Sequence, residues 1–298
     1  MKKLLAALLC VFFICSLAGC LKDTSEPPAN ELSLTLENYP VIDGSTANLP
    51  LAYALAQHFL GMTLDEAESF VNFNTTDFAY MNLADGACDL VLAYEASVTT
   101  IQWIEENEYY DSEFDYYPIG RDALVFIVSQ LNPVESLTAQ QVADIYAGDI
   151  TNWKEVGGED KEIVAFQRPE MSGSQTMLKK LVMNGRPLMD APTELVESEM
   201  GGLIEALDRY SNEANAIGYS VYYYANFMYA KPNLRFLSID GVAPTNETIK
   251  SSEYPYINEF YAVVRKSEPA DSPARQLAEW LSTADGKALM EQTGYVTT

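Results

Sequence analysis

The apolar and polar positions along this chain predict a repeated order of strand, turn and helix. Short apolar segments are each followed by a polar turn, and then by a stretch whose apolar residues recur every three or four positions. The predicted strands cover residues 40–44, 70–73, 89–93, 163–166 and 216–220. This order predicts an α/β fold with a mostly parallel sheet and helices on both faces.

Small polar residues mark where the helices are expected to begin. Thr138 is followed three residues later by Gln141, which is the pattern of a capping box. Ser272 precedes a proline, which is favoured in the first turn of a helix. The predicted helices run from a cap at Ser45 or Thr46 to Leu60, over residues 78–83, onward from Thr138, and after Ser272 as two short helices with a break near 283–286.

Two longer extended runs, residues 116–128 and 259–264, flank a middle block of the chain. This arrangement predicts two lobes joined by two crossing hinge strands, with residues 34–122 and 255–298 in lobe 1 and residues 123–254 in lobe 2. The roughly 265 residues that follow the N-terminal segment suit two domains better than one. Two lobes on such a hinge can close around a ligand.

The N-terminal segment has the features of a bacterial lipoprotein signal. Lys2 and Lys3 precede an apolar run over residues 4–17, and small residues then lead to Cys20. We interpret residues 1–19 as a signal peptide, Cys20 as the lipidated first residue, and residues 20–33 as a tether. The alternative is an uncleaved anchor, but the run is shorter than the roughly 20 residues a spanning helix needs. The expected location is the outer face of the cell membrane.

The net charge of the chain limits which classes of partner it can bind. Without Lys2 and Lys3, 16 basic residues stand against 43 acidic residues, giving a net charge of −27. This charge argues against binding of nucleic acid or anionic lipid surfaces.

Cys88 is the remaining cysteine after Cys20, so no disulfide framework is expected. The apolar context of Cys88 predicts a buried thiol.

Three predicted strand-to-helix turns carry hydroxyl residues that could hold an anion. The turns are Ser45-Thr46, Thr75-Thr76 and Ser172–Ser174, and ligands of open α/β sheets bind where strands end. Uncovered N–H groups at a helix start attract oxyanions, and Arg168 adds a planar fork of donors. The alternative is that each hydroxyl is only an ordinary helix cap.

The sequence gives weaker support for catalysis, metal binding or an aromatic pocket. His58 is the only histidine and lies within an amphipathic helix, so no Ser-His-Asp triad and no enzymatic activity is expected. The spacing of Asp43, Asp77, Asp85 and Asp89 matches no EF-hand or zinc pattern, so neither a metal nor a cofactor is predicted. The aromatic residues at 222–224, 227 and 229 could line a pocket or belong to the core.

Several motifs together resemble the phosphate-binding proteins of bacterial ABC phosphate importers, which have the type II periplasmic-binding-protein fold. The resemblance covers nearly all of the chain after the signal segment. The motifs are Tyr117-Pro-Ile-Gly-Arg-Asp122, the segment from Asp144 to Gly158 with its Gly-Asp-Ile-Thr-Asn-Trp run, Arg168 to Ser174 as Arg-x-x-x-Ser-Gly-Ser, Ala216-Ile-Gly-Tyr219, and Gly294-Tyr-Val296.

The resemblance implies capture of inorganic phosphate in an interlobe cleft by a monomer, and delivery to the permease of an ABC importer. It implies that Arg168 holds phosphate oxygens, with donors from Ser172, Gly173 and Ser174. Further contacts are implied from Ser45, Thr46, the backbone of Ala47, Thr76, and Glu95 as acceptor for a protonated oxyanion. Asp77 departs from the family pattern. Another small anion or organic ligand, or a sensor role without transport, remains an alternative.

Overall fold

Two long strands cross the centre of the structure. The computed structural model describes residues 32–298; the predicted signal peptide, Cys20 and the tether up to residue 31 lie outside the described residues. The first long strand, β3, covers Phe114–Ser129, and the second, β9, covers Ile257–Arg265. Both were predicted from their apolar runs, and both extend a few residues beyond the predicted bounds.

The remaining elements surround these two strands. The other strands are β1 Ile42–Gly44, β2 Leu90–Ala93, β4 Ser136–Leu137, β5 Val164–Ala165, β6 Ala216–Val221, β7 Leu234–Phe236, β8 Ser238–Ile239 and β10 Val296–Thr297. The α-helices are α1 Leu49–Leu60, α2 Leu64–Phe70, α3 Thr76–Asp85, α4 Val98–Glu105, α5 Ala139–Ala147, α6 Gly173–Met177, α7 Met200–Arg209, α8 Asn246–Lys250, α9 Pro273–Leu281 and α10 Ala284–Gln292. Short 3-10 helices cover Thr46–Asn48, Trp153–Val156 and Thr193–Leu195, and wider helical turns cover Leu178–Met183 and Tyr224–Met228.

The sheet has two halves that share β3, in the order β1-β2-β9-β3-β6-β5. The beginning of β3 pairs with β9 as far as Ala123, and from Leu124 onward β3 pairs with β6. We call the part with β1, β2, β9 and β10 the first sheet half, and the part with β5, β6 and β7 the second sheet half. The division into lobes at residues 122 and 255 stays a prediction.

The mixed α/β class is confirmed, but the expectation of a mostly parallel sheet is wrong. The pairs β1-β2, β5-β6 and β4-β8 are parallel, whereas β9 and β3 each run antiparallel to all of their partners. The long strands cross between the halves in opposite directions, so they bring antiparallel pairing to the centre of the sheet. The sequence pattern reports only the local order of strands and helices. In the large sheet, the parallel pairing that this order suggests occurs only at its two edges, in β1-β2 and β5-β6.

The strand predicted at residues 70–73 is also absent: helix α2 extends to Phe70, and residues 71–73 form no strand. Thr63 accepts a hydrogen bond from the Glu66 backbone N–H, and the Glu66 carboxylate accepts one from the Thr63 N–H at 2.8 Å. This is the same capping box that correctly predicted α5 from Thr138 and Gln141. The spacing of Thr63 and Glu66 is therefore a sequence signal for the start of α2.

None of the helices in residues 32–298 has the length and apolarity needed to cross a bilayer. The buried core instead consists of side chains on both faces of the shared sheet, among them Phe126, Tyr219 and Phe260. Cys88 is buried, as predicted, and burial raises the pKa of its thiol well above the usual value. His58 is exposed and packs beside Phe59 and Trp280.

A buried carboxylate lies where β3 passes from one sheet half to the other. Asp122 is 3% exposed and accepts hydrogen bonds from the Tyr94 hydroxyl at 2.7 Å, the Ala123 N–H at 2.7 Å and the Tyr223 N–H at 3.1 Å. Tyr94 follows β2 and Tyr223 follows β6, so this side chain joins both halves. Burial raises the pKa of Asp122 to about 6, although its donors oppose the shift.

We expect Asp122 to make the stability of the protein depend on pH. Because its folded pKa lies above the ordinary value of 3.8, the ionised carboxylate destabilises the folded state above pH 6, and this cost disappears as the pH falls towards 4. The unfolding free energy of Asp122→Asn minus that of wild type should therefore rise between pH 4 and pH 7, by up to about 3 kcal/mol.

Urea denaturation across this pH range measures the difference directly. The exposed Asp271→Asn is the matched control, since it removes the same charge without touching the hinge. A difference for Asp122→Asn that stays constant with pH would contradict the assignment.

Candidate ligand-binding site

A cavity of about 410 Å³ lies between the two sheet halves. The first half contributes the turns that follow β1 and precede α3, and the second half contributes the segments around α6, α7 and the end of β6. The lining residues are Ser45, Thr46, Phe73, Asn74, Thr75, Thr76, Phe78, Arg168, Ser172, Gly173, Ser198, Glu199, Met200, Gly201, Tyr224 and Tyr229.

The hydroxyl residues at this cavity differ from the other helix caps of the chain. In residues 32–298, the Ser and Thr N-caps whose side chains accept a backbone N–H of the first turn are Thr63, Ser97, Thr138, Thr245, Ser272 and Thr283. Those that accept none are Ser45, Thr75 and Ser172. All three of these Ser and Thr N-caps without a cap bond line the cavity. The ordinary-cap interpretation therefore fails for these three turns, which keep donors available for a ligand.

Asp43 positions two of these turns against each other. This residue, 4% exposed at the end of β1, accepts hydrogen bonds from the Gly44 N–H at 2.7 Å and the Asn74 N–H at 2.8 Å. Its other oxygen accepts from the side-chain amides of Asn74 and Asn82, both at 2.7 Å. One carboxylate thus holds the segment before α3 beside the turn after β1.

Gly44 allows β1 and β2 to approach closely at the same place. A Cβ on Gly44 would lie 2.1 Å from the Leu92 carbonyl oxygen and 2.8 Å from the Phe73 ring. Real Cβ atoms do not approach backbone that closely, so this position requires glycine. The close approach sets where Ser45 begins the next turn, and the Ser45 N–H donates to Leu92 O at 3.0 Å.

The C-terminal motif supports the turn after β1 from the other side. The Tyr295 hydroxyl donates to the Ala47 carbonyl at 2.7 Å, and its ring stacks on Tyr223 with ring centroids 3.8 Å apart. The Tyr223 N–H in turn donates to Asp122. Thus the Gly294-Tyr295-Val296 segment links the turn after β1 to Asp122.

The two halves touch at one end of the cavity. A Cβ built on Gly173 would lie 2.7 Å from Thr76 Oγ1, so the turn before α6 and the start of α3 are already in contact. Only glycine allows this approach without a displacement. Thr76 and Ser172 are buried at this contact, at 2% and 5% exposure.

Arg168 is the most unusual residue of the cavity. It is 5% exposed, and within residues 32–298 its Nε and Nη1 atoms are buried without a hydrogen-bond partner. Nη2 donates to the Ser198 carbonyl at 3.2 Å, and the backbone N–H donates to the Tyr219 hydroxyl at 2.9 Å. Burial lowers the pKa of this guanidinium, yet it stays charged at any physiological pH. A buried charge without a partner is costly unless a ligand supplies one.

The predicted site residues divide into two groups. Ser45, Thr46, Thr76, Arg168, Ser172 and Gly173 line the cavity. Ala47, Glu95 and Ser174 are not among the lining residues. Ala47 and Ser174 are fully buried directly beside lining residues, and Ser174 Oγ lies 3.1 Å from Ser172 Oγ.

Glu95 makes a different contact from the one predicted. Its carboxylate pairs with the Lys180 ammonium in the helical turn that continues α6, so the pair joins the two sheet halves. Both side chains are about half exposed, at 44% and 50%, and such pairs contribute little to stability. The predicted role of Glu95 as acceptor for a protonated ligand requires this pair to open, and it stays a prediction. Asp77 is buried, which raises the pKa of its carboxyl, and it accepts from the Ser97 N–H at 2.8 Å.

Sequence reasoning missed the start of α7 as part of the cavity wall and left the role of the tyrosines after β6 open. Ser198–Gly201 carries no phosphate-like motif, and Glu199 at the helix start makes no capping bond. Of the aromatic residues whose role was left open, Tyr224 and Tyr229 line the cavity, whereas Tyr222 and Tyr223 belong to the core. A segment with an aromatic residue at almost every position gives no period from which to choose between these roles.

A family comparison agrees with this architecture. The sequence model described as a PBP superfamily domain matches residues 35–284, which is most of the chain. The chain belongs to the PBP superfamily. The mixed α/β architecture described above agrees with this membership.

Individual members of the PBP superfamily are similar over most of the chain. A phosphate-binding protein PstS of Borreliella burgdorferi is 29% identical over 180 residues, which are 59% of this chain and 63% of the relative. Its counterpart of the same name in Bacillus subtilis is 26% identical over 305 residues, covering 99% of this chain and 94% of the relative. The chain thus spans less than two thirds of the first relative and nearly all of the second.

A solved structure of this superfamily has the same fold. It is a Clostridium perfringens protein described as a phosphate ABC transporter substrate-binding protein with bound phosphate. The two superpose with a TM-score of 0.67 at 22% identity, covering 89% of this chain and 99% of that chain. At this identity the likeness establishes the fold.

We expect Asp43→Asn to destabilise the protein. The new amide would face the donor groups of Asn74 and Asn82 and leave at least one donor unsatisfied, which costs about 1–3 kcal/mol. Urea denaturation without ligand measures this change, and the exposed Asp271→Asn should leave the midpoint unaltered. Equal midpoints for the two variants would show that the carboxylate does not hold the turns.

Proposed function

We propose that this protein captures inorganic phosphate in the cavity between its sheet halves and delivers it to the permease of an ABC importer. The observation that carries the proposal is Arg168, a buried guanidinium with two nitrogens that lack partners in residues 32–298. An oxyanion supplies both the charge and the acceptors that these nitrogens lack, and a planar fork suits two phosphate oxygens.

The hydroxyl turns supply the remaining donors. Ser45, Thr46, Thr76 and Ser172 line the cavity. The N-cap side chains of these turns, Ser45, Thr75 and Ser172, accept no helix N–H, and Gly173 permits backbone approach. Donors from both halves let a bound anion favour the closed arrangement, since only there do all of them reach it. The names of the PstS relatives, which bind phosphate, agree with this chemistry.

The wider setting completes the proposal. Cys20 carries the lipid anchor, residues 20–33 form the tether, and the protein works as a monomer on the outer face of the cell membrane. The lobes comprise residues 34–122 with 255–298, and residues 123–254. The protein binds and releases its ligand without chemical change, so it is not an enzyme. Glu95, Ala47 and Ser174 complete the set of predicted contacts once the lobes close.

We expect Arg168→Ala to abolish tight phosphate binding. Losing a buried charge-assisted partner costs about 2–5 kcal/mol, which corresponds to a roughly 30-fold to several-thousand-fold rise in Kd. Isothermal titration of the purified protein with phosphate, arsenate and sulfate measures the effect and the selectivity.

Arg209→Ala is the control, because this arginine side chain is 66% exposed and does not line the cavity. The control should bind phosphate as wild type does. If Arg168→Ala still binds phosphate tightly, Arg168 does not belong to the binding site. If wild type prefers sulfate, the ligand is sulfate and not phosphate.

A further inference from the structure

We propose that the same cavity accepts phosphonates and phosphate monoesters with a short organic substituent, which would lie against Tyr224 and Tyr229. The inference rests on the proposed function, because the phosphoryl group of such a ligand occupies the site built by Arg168 and the hydroxyl turns. It adds a second subsite, for the substituent, on the side of the cavity away from Thr76.

The first support is the position of the empty room. At the Thr76 end the walls already meet, because the Gly173 Cα has no space for even a Cβ beside Thr76 Oγ1. The cavity nevertheless holds about 410 Å³, which falls within the range of pockets for small organic ligands. Beside Arg168, the lining includes the start of α7 with Tyr224 and Tyr229, so the cavity extends to that wall.

The contacts along the cavity wall show where that room leads. Arg168 Nη2 donates to the Ser198 carbonyl, immediately before α7. Three residues further, Gly201 lies against the tyrosines: a Cβ there would be 3.1 Å from the Tyr224 hydroxyl and 3.1 Å from the Tyr229 ring. The wall thus passes from the guanidinium to the aromatic pair within one turn of helix.

The second support is the shape and chemistry of that pair. The Tyr224 and Tyr229 rings stack, with centroids 4.8 Å apart and planes 13° from parallel. Tyr224 is 3% exposed, so it is fixed in place, whereas Tyr229 is 40% exposed and faces the cavity edge. With Met200 on the same wall, they form an apolar surface that inorganic phosphate alone would not contact. Rigid aromatic faces of this kind bind the carbon part of a ligand.

The two subsites together define the class of ligand. A phosphonate or a phosphate monoester keeps three terminal oxygens and can carry two negative charges, so its head group suits the donors around Arg168. Its fourth substituent can then leave the anion subsite towards the tyrosines. Glu199, an exposed carboxylate on the same rim, disfavours a second negative group on that substituent through like-charge repulsion.

Calorimetric titration with phenylphosphonate and with inorganic phosphate tests the proposal. Wild type should bind phenylphosphonate with a Kd within about tenfold of that for phosphate. Tyr229→Ala should weaken phenylphosphonate binding by about tenfold or more and change phosphate binding by less than about threefold. Tyr229→Phe keeps the ring and should bind both ligands as wild type does. Because Tyr229 lies at the edge of the cavity, neither variant is expected to unfold, and circular dichroism verifies this.

The outcomes separate the two proposals. Phosphate binding with no phenylphosphonate binding at millimolar concentration overturns the second subsite and leaves the proposed function intact. An equal loss of both ligands in Tyr229→Ala also overturns it. If wild type binds phenylphosphonate but not phosphate, the second subsite stands and the proposed function fails. Binding of neither ligand overturns both proposals.

Discussion

The candidate site depends on one buried charge that residues 32–298 do not neutralise. Arg168 is 5% exposed, makes one side-chain hydrogen bond, and leaves Nε and Nη1 without partners in that part of the chain. Its backbone is held in place because its N–H donates to the Tyr219 hydroxyl, which in turn donates to the side-chain carbonyl of Gln175. Ionising residues are rarely buried in this way without a compensating group. The ligand-free protein therefore carries an energetic cost that binding of an anion relieves, and this couples stability to function.

Two acidic residues prepare the surroundings of that charge. Asp43 gathers N–H groups from β1, the segment before α3 and α3 itself, and Asp122 joins the ends of β2 and β6. Asp43 accepts hydrogen bonds from the Gly44 and Asn74 N–H groups, and Asp122 accepts them from the Ala123 and Tyr223 N–H groups, so both carboxylates hold backbone segments in place. Although the chain is strongly acidic, its buried acids thus organise the donors of an anion site instead of opposing it. The exposed carboxylates are screened within about 10 Å at ordinary salt.

Sequence patterns predicted the parts of this site that depend on local chemistry. Arg168, the hydroxyl turns and the long strands were found because caps, turns and apolar runs leave signals within a few residues. The antiparallel centre of the sheet was missed because pairing direction depends on how distant segments cross. The α7 start was missed, and the role of Tyr224 and Tyr229 was left open, for the same reason: Gly201 and the tyrosines meet only in the folded chain. The Glu95–Lys180 contact likewise joins residues far apart in sequence, which spacing alone does not report.

The most direct measurement compares wild type with Arg168→Met by urea denaturation, with and without phosphate. Methionine fills similar space without a charge, and replacing a buried charged group by an apolar one is often neutral or stabilising. We predict that Arg168→Met without ligand unfolds at an equal or higher urea concentration than wild type, and that phosphate raises the midpoint of wild type only. A variant that is less stable than wild type without ligand, together with a wild-type midpoint that phosphate does not move, would contradict the account.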